Sequence, residues 1–227
     1  MQQPTVMIKR ALTRGLLLMV LILGLMGAWT GKKGHAHPHA YIDVKITAVF
    51  GDGGRLVALH HHWTFDRAYT AFALFDQQGS SPKNQQQKLD EIMAQNLTEL
   101  RHYDFFTEIK QADQLVSTGV AVHGKTQLVD QQIEMTFTLP VTGAADDQEP
   151  LTYYVFDPTY YIQMRHDKQG EAVRITHPSK SCAHELIEPT PTVEQTLFAA
   201  NLGINVTGPP DLGRLFTQTV TITCDSA

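Results

Sequence analysis

The chain has 227 residues, 42% of them hydrophobic and 18% charged, with a formal net charge of −5, 11 histidines and two cysteines. A net acidic balance of this kind suits neither nucleic acid nor an anionic membrane face. The length is sufficient to bury one sizeable core without help from metals or multiple disulfides.

The N-terminus carries Lys9, Arg10 and Arg14 with no acid, then an almost wholly apolar run from Gly15 to Trp29, then the small residues Gly34 and Ala36 flanking His35. This is the three-part pattern of a secretory signal. The apolar run, about fifteen residues, falls short of the ~20 that a spanning helix needs. The pattern predicts a signal peptide over 1–36, cleaved after Ala36, and a single periplasmic domain over 37–227. Lys32 and Lys33 keep an uncleaved anchor as the alternative. Cleavage removes five Lys/Arg and no acid, taking the formal charge to −10, leaves no stable membrane insertion and makes His37 the first residue. In an exported chain the even pair Cys182 and Cys224 reads as one disulfide. In the chain-entropy model such a loop closure stabilises by ~3–4 kcal/mol. A thiolate metal pair is the alternative.

Residues 41–50 alternate, with Ile42, Val44, Ile46, Ala48 and Phe50 on one face, as a half-buried strand does. Asp52-Gly53 signals a two-residue turn, and Val57, Leu59, Trp63 and Phe65 share one parity on the return strand. A two-residue turn pairs Gly51 with Gly54. It then places Phe50 opposite Arg55, Ala48 opposite Val57, Ile46 opposite Leu59 and Ile42 opposite Trp63. Asp66 can cap a short helix bearing Tyr69, Phe72 and Phe75. After the polar loop 77–81, Ser81-Pro82 opens an amphipathic helix with Leu89, Ile92, Met93, Leu97, Leu100 and Tyr103 on one stripe. Strands follow at 105–110, 116–123, 133–141 and 151–156. Residues 161–165 and 172–176 read as a hairpin around Lys168-Gln169-Gly170. Thr192 and Gln195 form a capping box for a helix to Ala200, and 215–224 is a last strand. The fold class is α+β: a mainly antiparallel sheet or sandwich with a helical pair inserted after the first hairpin.

Five of the 11 histidines lie in the first hairpin or just before it. The motif His37-Pro38-His39-x-x-Ile42-Asp43 is followed by Val49-Phe50-x-Asp52-x-Gly54 and Trp63-x-Phe65-Asp66. Phe156-Asp157-Pro158-Thr159-Tyr160 and a cysteine near the C-terminus come later. Together they resemble an uncharacterised bacterial periplasmic family, catalogued as a domain of unknown function. That family is often labelled the periplasmic component of an uncharacterised ABC-type transport system. The resemblance implies association with a nickel/cobalt-type membrane transporter, so an inner-membrane metal transporter is the implied partner. The triple histidine 60–62 goes beyond the family pattern.

The two-residue turn also places Asp43 opposite His62, Lys45 opposite His60 and, by extrapolation, His39 opposite Asp66. Facing Cβ atoms lie about 4.5–5.5 Å apart. His39, Asp43, His62 and Asp66, with His37 folding back, therefore form a candidate metal site, with Asp157 and Tyr160 as supporting residues. Imidazole with carboxylate suits Zn²⁺, Ni²⁺, Co²⁺ or Cu²⁺, and the hard oxygen argues against Cu⁺. Pro38 has no amide proton, so a square-planar copper site built on successive deprotonated amides cannot complete itself at His39. The competing reading is solvated histidines with capping aspartates. His61 has inward parity and is expected to be a hydrogen-bonded core histidine. His102, His123, His166, His177 and His184 read as surface or loop residues, with a weak pairing of His166-Asp167 and His177 across the late hairpin. There is no glycine-rich phosphate loop, no G-x-S-x-G and no spare cysteine nucleophile. The expected function is a non-enzymatic periplasmic accessory protein that binds a divalent transition metal for a transport system. The alternatives are a copper enzyme of histidine-brace type and a metal-free partner-binding module.

Overall fold

The computed structural model describes residues 37–75, 79, 81–167, 170–203 and 206–225. The expected signal segment 1–36, most of the polar loop 77–81 and the Lys168-Gln169 turn lie outside the described residues. Strands β1 (Ala40–Phe50) and β2 (Leu56–Phe65) form the first hairpin. Their alternation is as the sequence indicates, and Ile42, Val44, Ile46 and Ala48 are all 2% exposed or less. The pairing is not. Asp43 faces Thr64, Lys45 faces His62, Thr47 faces His60 and Ile42 faces Phe65.

Two local features shift the register by two residues. Gly51 N donates to Arg55 O at 2.9 Å, so the turn spans three residues, Asp52, Gly53 and Gly54, with both glycines at positive φ. A bulge between Val49 and Phe50 then leaves Val57 without a partner of its own. Each adds one residue to the return strand, and together they preserve which faces point inward. Val57 is the exception. The bulge turns it outward, 43% exposed, while Leu56 takes the buried place.

The larger sheet has the order β5 (Val122–Val129), β6 (Gln132–Pro140), β2, β1, β8 (Ile162–His166), with β9 (Val173–Thr176) also on β1. The second sheet runs β10 (Cys182–Ile187), β11 (Thr219–Cys224), β7 (Leu151–Val155), β3 (Thr107–Gln111), β4 (Gln114–Leu115). One apolar cluster joins their inner faces, including Trp63, Phe137 and Leu139 from the first and Ile109, Tyr153 and Val220 from the second. The chain is therefore mostly β, with antiparallel-rich sheets. The expected late hairpin does not form. β8 and β9 instead run parallel to β1, end to end along its free edge, at Ala40–Val44 and Ile46–Val49.

Helices α1 (Arg67–Ala73) and α2 (Pro82–Leu100) follow β2 in the chain. Ser81 Oγ accepts from Asn84 N at the start of α2, with Pro82 in its first turn. Leu89, Met93 and Leu100 are buried, and Ile92 and Leu97 pack partly against the core. Tyr103 falls beyond the helix, in a 3-10 turn over Arg101–Phe106, and is 49% exposed. Thr126 Oγ1 donates to Leu89 O, and a Cβ on Gly124 would come within 2.7 Å of Leu97, so β5 and α2 approach closely. α1 is less apolar in contact than its sequence suggests, since Phe72 and Phe75 are exposed. Helix α3 (Val193–Ala200) starts at the expected capping box, where Thr192 and Gln195 exchange side-chain-to-backbone bonds. The strand expected at 116–123 begins only at Val122, and the last strand begins at Thr219 after a 3-10 turn over Leu212–Phe216. No helix among the described residues is long and apolar enough to cross a membrane.

His61 is in the core, 2% exposed, but not hydrogen-bonded. Its ring stacks on Phe137 with centroids 4.5 Å apart, and neither nitrogen has a partner. His166 is also buried. Its Nε2 lies 3.1 Å from Tyr153 Oη, and its backbone N donates to Gln218 Oε1 at 2.7 Å. Burial lowers His61 to about 3 and His166 to about 4, whereas an unfolded imidazole titrates near ~6.5. The folded state thus binds fewer protons between these values. Its stability is complete above pH ~6.5 and falls as pH drops toward about 4, by up to ~1.4 kcal/mol per unit for each ring. The expected result is a urea midpoint that falls from pH 7 to pH 5. His61→Phe, which keeps a ring against Phe137, should flatten that fall, and an unchanged slope would contradict this account.

Candidate metal centre

The first residues described are positioned by β8. His39 N donates to Tyr161 O at 2.8 Å, extending the parallel ladder one residue beyond the Ala40–Ile162 pair. The His39 ring lies 4.6 Å from the Tyr161 ring. The His37 ring lies 4.6 Å from His39 and 5.7 Å from Tyr161, edge-on to both. His37 is 6% exposed. His37 Nδ1 and Nε2 and His39 Nε2 are buried without a hydrogen-bond partner. The backbones of Leu202 and Val206 approach His37 closely enough to favour its charged form, yet neither bonds it with good geometry. Burial, then the neighbouring His39, lower the His37 pKa, and Asp157 opposes the shift.

The Phe156–Tyr160 motif builds the floor under this pair. Asp157 Oδ1 accepts from Thr159 N and Thr159 Oγ1, both at 2.8 Å, and Oδ2 accepts from Ile162 N at 2.9 Å. The carboxylate therefore fixes the turn that delivers Tyr161. Gly213 N donates to Pro158 O, and a Cβ at Gly213 would collide with Asp157 O at 1.8 Å, so only glycine lets the 3-10 turn close on the motif. Tyr160, at φ 59°, stacks on Phe216 at 4.1 Å in a small cluster with Ala199 and Leu212. Asp157 thus holds the turn through backbone amides, and Tyr160 anchors it to the small cluster under α3.

The other expected ligands are elsewhere. Asp66 Oδ1 accepts from Tyr69 N at 2.9 Å and caps α1, while Oδ2 accepts from Tyr41 N at 2.8 Å, so both oxygens are engaged. His62 Nε2 lies 3.3 Å from Glu134 Oε2, near but outside hydrogen-bond geometry, and faces Lys45 and Thr136 across the ladder. Asp43 is exposed beside Arg165 of β8. Burial first, and then the charge of Asp167, raise its pKa against the pull of Lys45. Lys45 itself pairs with Asp167 at 2.9 Å. The structure brings together His37 and His39 and leaves Asp43, His62 and Asp66 apart from them. Among the described residues, three His, Cys, Asp or Glu donors come within 4.8 Å of one another at His177, Cys182 and Cys224.

The two cysteines are disulfide-bonded, as the sequence indicates. His177 lies in the loop after β9, as expected, but not at the surface. Its side chain is 2% exposed, and Nε2 lies 2.8 Å from Asp147 Oδ2. Nothing in its local sequence marks it. His166 does carry a signal, because it shares the inward parity of Met164. A cavity of about 560 Å³ opens beside the 3-10 turn over Arg101–Phe106. It is lined by Tyr103, Asp104, Phe106, Phe156 and Asp211 among others, and includes neither His37 nor His39.

A family model described as "Protein of unknown function (DUF1007)" matches residues 20–224. The chain belongs to the DUF1007 family. An uncharacterised protein of Haemophilus influenzae is 27% identical over 199 residues, covering 84% of this chain and 92% of that protein. The family match, over residues 20–224, spans both the hairpin histidines and the disulfide.

Asp66 and His62 differ measurably in what their side chains hold. Asp66→Ala removes the α1 cap and the bond to the Tyr41 amide, and should lower stability by about 1 kcal/mol. His62→Ala, at a half-exposed position, should cost no more than about 0.5 kcal/mol. Urea titrations of the two variants at pH 7 check this.

Proposed function

We propose that the protein binds a divalent transition-metal ion through His37 and His39, and acts as a non-enzymatic periplasmic accessory to an inner-membrane metal transporter. One observation supports the metal reading above the others: three buried imidazole nitrogens without partners, on two rings 4.6 Å apart. A buried polar atom left unpaired costs ~1–3 kcal/mol, and coordination removes that cost at one nitrogen of each ring. Neutral imidazole is a common ligand for Zn²⁺, Ni²⁺, Co²⁺ and Cu²⁺. The lowered His37 pKa keeps its lone pair available at neutral pH. If the chain is processed after Ala36, the His37 α-amino group becomes a third nitrogen donor. In this reading Asp43, His62 and Asp66 are not ligands.

The transport role rests on the motif resemblance. A partner also needs a surface, and α3 offers Val193, Leu197 and Phe198, each more than half exposed, beside Leu215. The chain leaving α3 carries Leu202 and Val206 to the His37 ring. The same two histidines would serve a histidine-brace copper enzyme, so oxygen consumption by the Cu²⁺-loaded protein is the observation that favours that reading instead.

Calorimetric titration of the protein beginning at His37 with Zn²⁺, Ni²⁺, Co²⁺ and Cu²⁺ tests the proposal. Binding of about one equivalent is expected, with affinity reduced by about tenfold or more in His39→Ala and in His37→Ala. His62→Ala should stay within about twofold of the parent, because its ring lies with Glu134. Acidification should release the ion, since a protonated imidazole cannot coordinate. Unchanged affinity in both His37→Ala and His39→Ala would sink the proposal.

A further inference from the structure

The far end of β1 carries a second arrangement, independent of the His37 and His39 pair. Ten residue steps separate Ala40 from Phe50, or about 33 Å of strand. There the Phe50 ring packs 5.2 Å from His177. His177 is gripped from both sides. Nε2 meets Asp147 Oδ2 at 2.8 Å, while Nδ1 accepts from Lys180 N at 2.9 Å and Ser179 N at 3.2 Å. Lys180 Nζ lies 3.0 Å from the same Asp147 oxygen, and Gln148 Nε2 donates to the other at 2.6 Å. The hairpin turn completes the enclosure, since a Cβ on Gly54 would fall 2.3 Å from the Asp147 carboxylate.

Cys182 and Cys224 lie beside this imidazole, with one donor atom from each of the three residues within 4.8 Å of the others. The two cysteines face one another directly on β10 and β11. Five further pairs, from Ala183–Thr223 to Ile187–Thr219, continue the ladder on one side. On the other side Asp225 N donates to Ser181 O at 2.9 Å. Backbone bonds therefore bracket the disulfide, so breaking the sulfur–sulfur bond leaves both cysteine backbones in place while the two sulfurs move apart to non-bonded distance. Both cysteines are half-buried, and β10 is an edge strand, so a reductant can reach them.

We propose that reduction of the Cys182–Cys224 disulfide converts this end of the sandwich into a Cys₂His site for a thiophilic ion such as Zn²⁺. The reductant is a dithiol. It attacks one sulfur to give a mixed disulfide, its second thiol resolves that bond, and it leaves as its own disulfide after transferring two electrons and two protons to the cysteines. On metal binding the two thiols release their protons to solvent, and two thiolates and one imidazole nitrogen coordinate. Tetrahedral zinc, with bonds of about 2.0–2.3 Å, places its donors roughly 3.3–3.8 Å apart. The imidazole must therefore close by no more than about 1.5 Å on the sulfurs. With Nδ1 as the donor, its lone pair leaves the Ser179 and Lys180 amides to water, since neither residue is buried, while Nε2–H stays on Asp147, the carboxylate–imidazole pairing that orients metal-bound histidines. Solvent fills the fourth position. The disulfide then acts as a gate: closed when oxidised, metal-binding when reduced.

Titration with Co²⁺, read by the near-ultraviolet thiolate-to-cobalt charge-transfer band, tests this on the full chain. Protein reduced with a phosphine and desalted without oxygen should develop the band at about one equivalent and lose it to added Zn²⁺. Oxidised protein should show no such band, whatever binds at His37 and His39. The band should survive His37→Ala and His39→Ala, so the outcome is separate from that of the proposed function. His177→Gln, which keeps a polar side chain for Asp147, should weaken Co²⁺ binding by about tenfold or more while both thiols remain titratable. Three results overturn the proposal: no band in reduced protein whose circular dichroism is native, equal Co²⁺ affinity in His177→Gln, or loss of the fold on reduction.

Discussion

Strand β1 is hydrogen-bonded along both edges, and the rest of the molecule depends on that double pairing. β2 covers one edge in antiparallel register, and β8 followed by β9 covers the other in parallel. The parallel side carries the functional consequence. It begins with His39 N on Tyr161 O and so brings the Phe156–Tyr160 turn, more than a hundred residues away in sequence, under the first histidines. Its inward residues are among the most buried in the chain, with Val44 and Ala48 wholly covered. Full burial of a valine or isoleucine side chain is worth roughly 1.5–3 kcal/mol. The scaffold for the histidine pair is thus stabilised by the core, and Asp157 spends its carboxylate on backbone amides to hold the turn.

The two ends of this strand present opposite chemistry. At its start, imidazole nitrogens are buried and unpaired, which leaves a capacity for a ligand. At its end, every polar atom of His177 and Asp147 named above is engaged, and the reactive capacity lies in a disulfide bracketed by backbone bonds. The buried His61 and His166 are a third case. They lie in the sandwich interior and are held neutral, which couples folding to acidity without offering a route for an ion.

The inward faces were legible in the sequence because alternation fixes parity. Register was not, because alternation says nothing about which residue lies opposite which. Asp52-Gly53-Gly54 reads equally as a two-residue turn before Gly54 or as a three-residue turn that uses it, and the bulge that leaves Val57 unpaired has no separate sequence mark. These two one-residue differences add to a two-residue slip. The inward residues therefore match the reading while the cross-strand partners of Asp43 and His62 do not. Asp66 was readable as a cap, the Thr192–Gln195 box as a helix start and Cys182–Cys224 as a bridge, since each follows from local chemistry. The parallel run of β8 and β9 was hidden by its proximity in sequence, which imitates a hairpin. The pairing of His177 with Asp147 depends wholly on that tertiary arrangement.

The central claim is that His37 and His39 jointly hold the ion. X-ray absorption at the metal edge, on oxidised protein loaded with one equivalent of Zn²⁺ or Ni²⁺, addresses it most directly because it counts donor types around the ion. The account predicts imidazole scattering from two rings and no sulfur, with one ring lost in His39→Ala. Sulfur in the first coordination sphere, or a spectrum identical in the parent and His39→Ala, would contradict it.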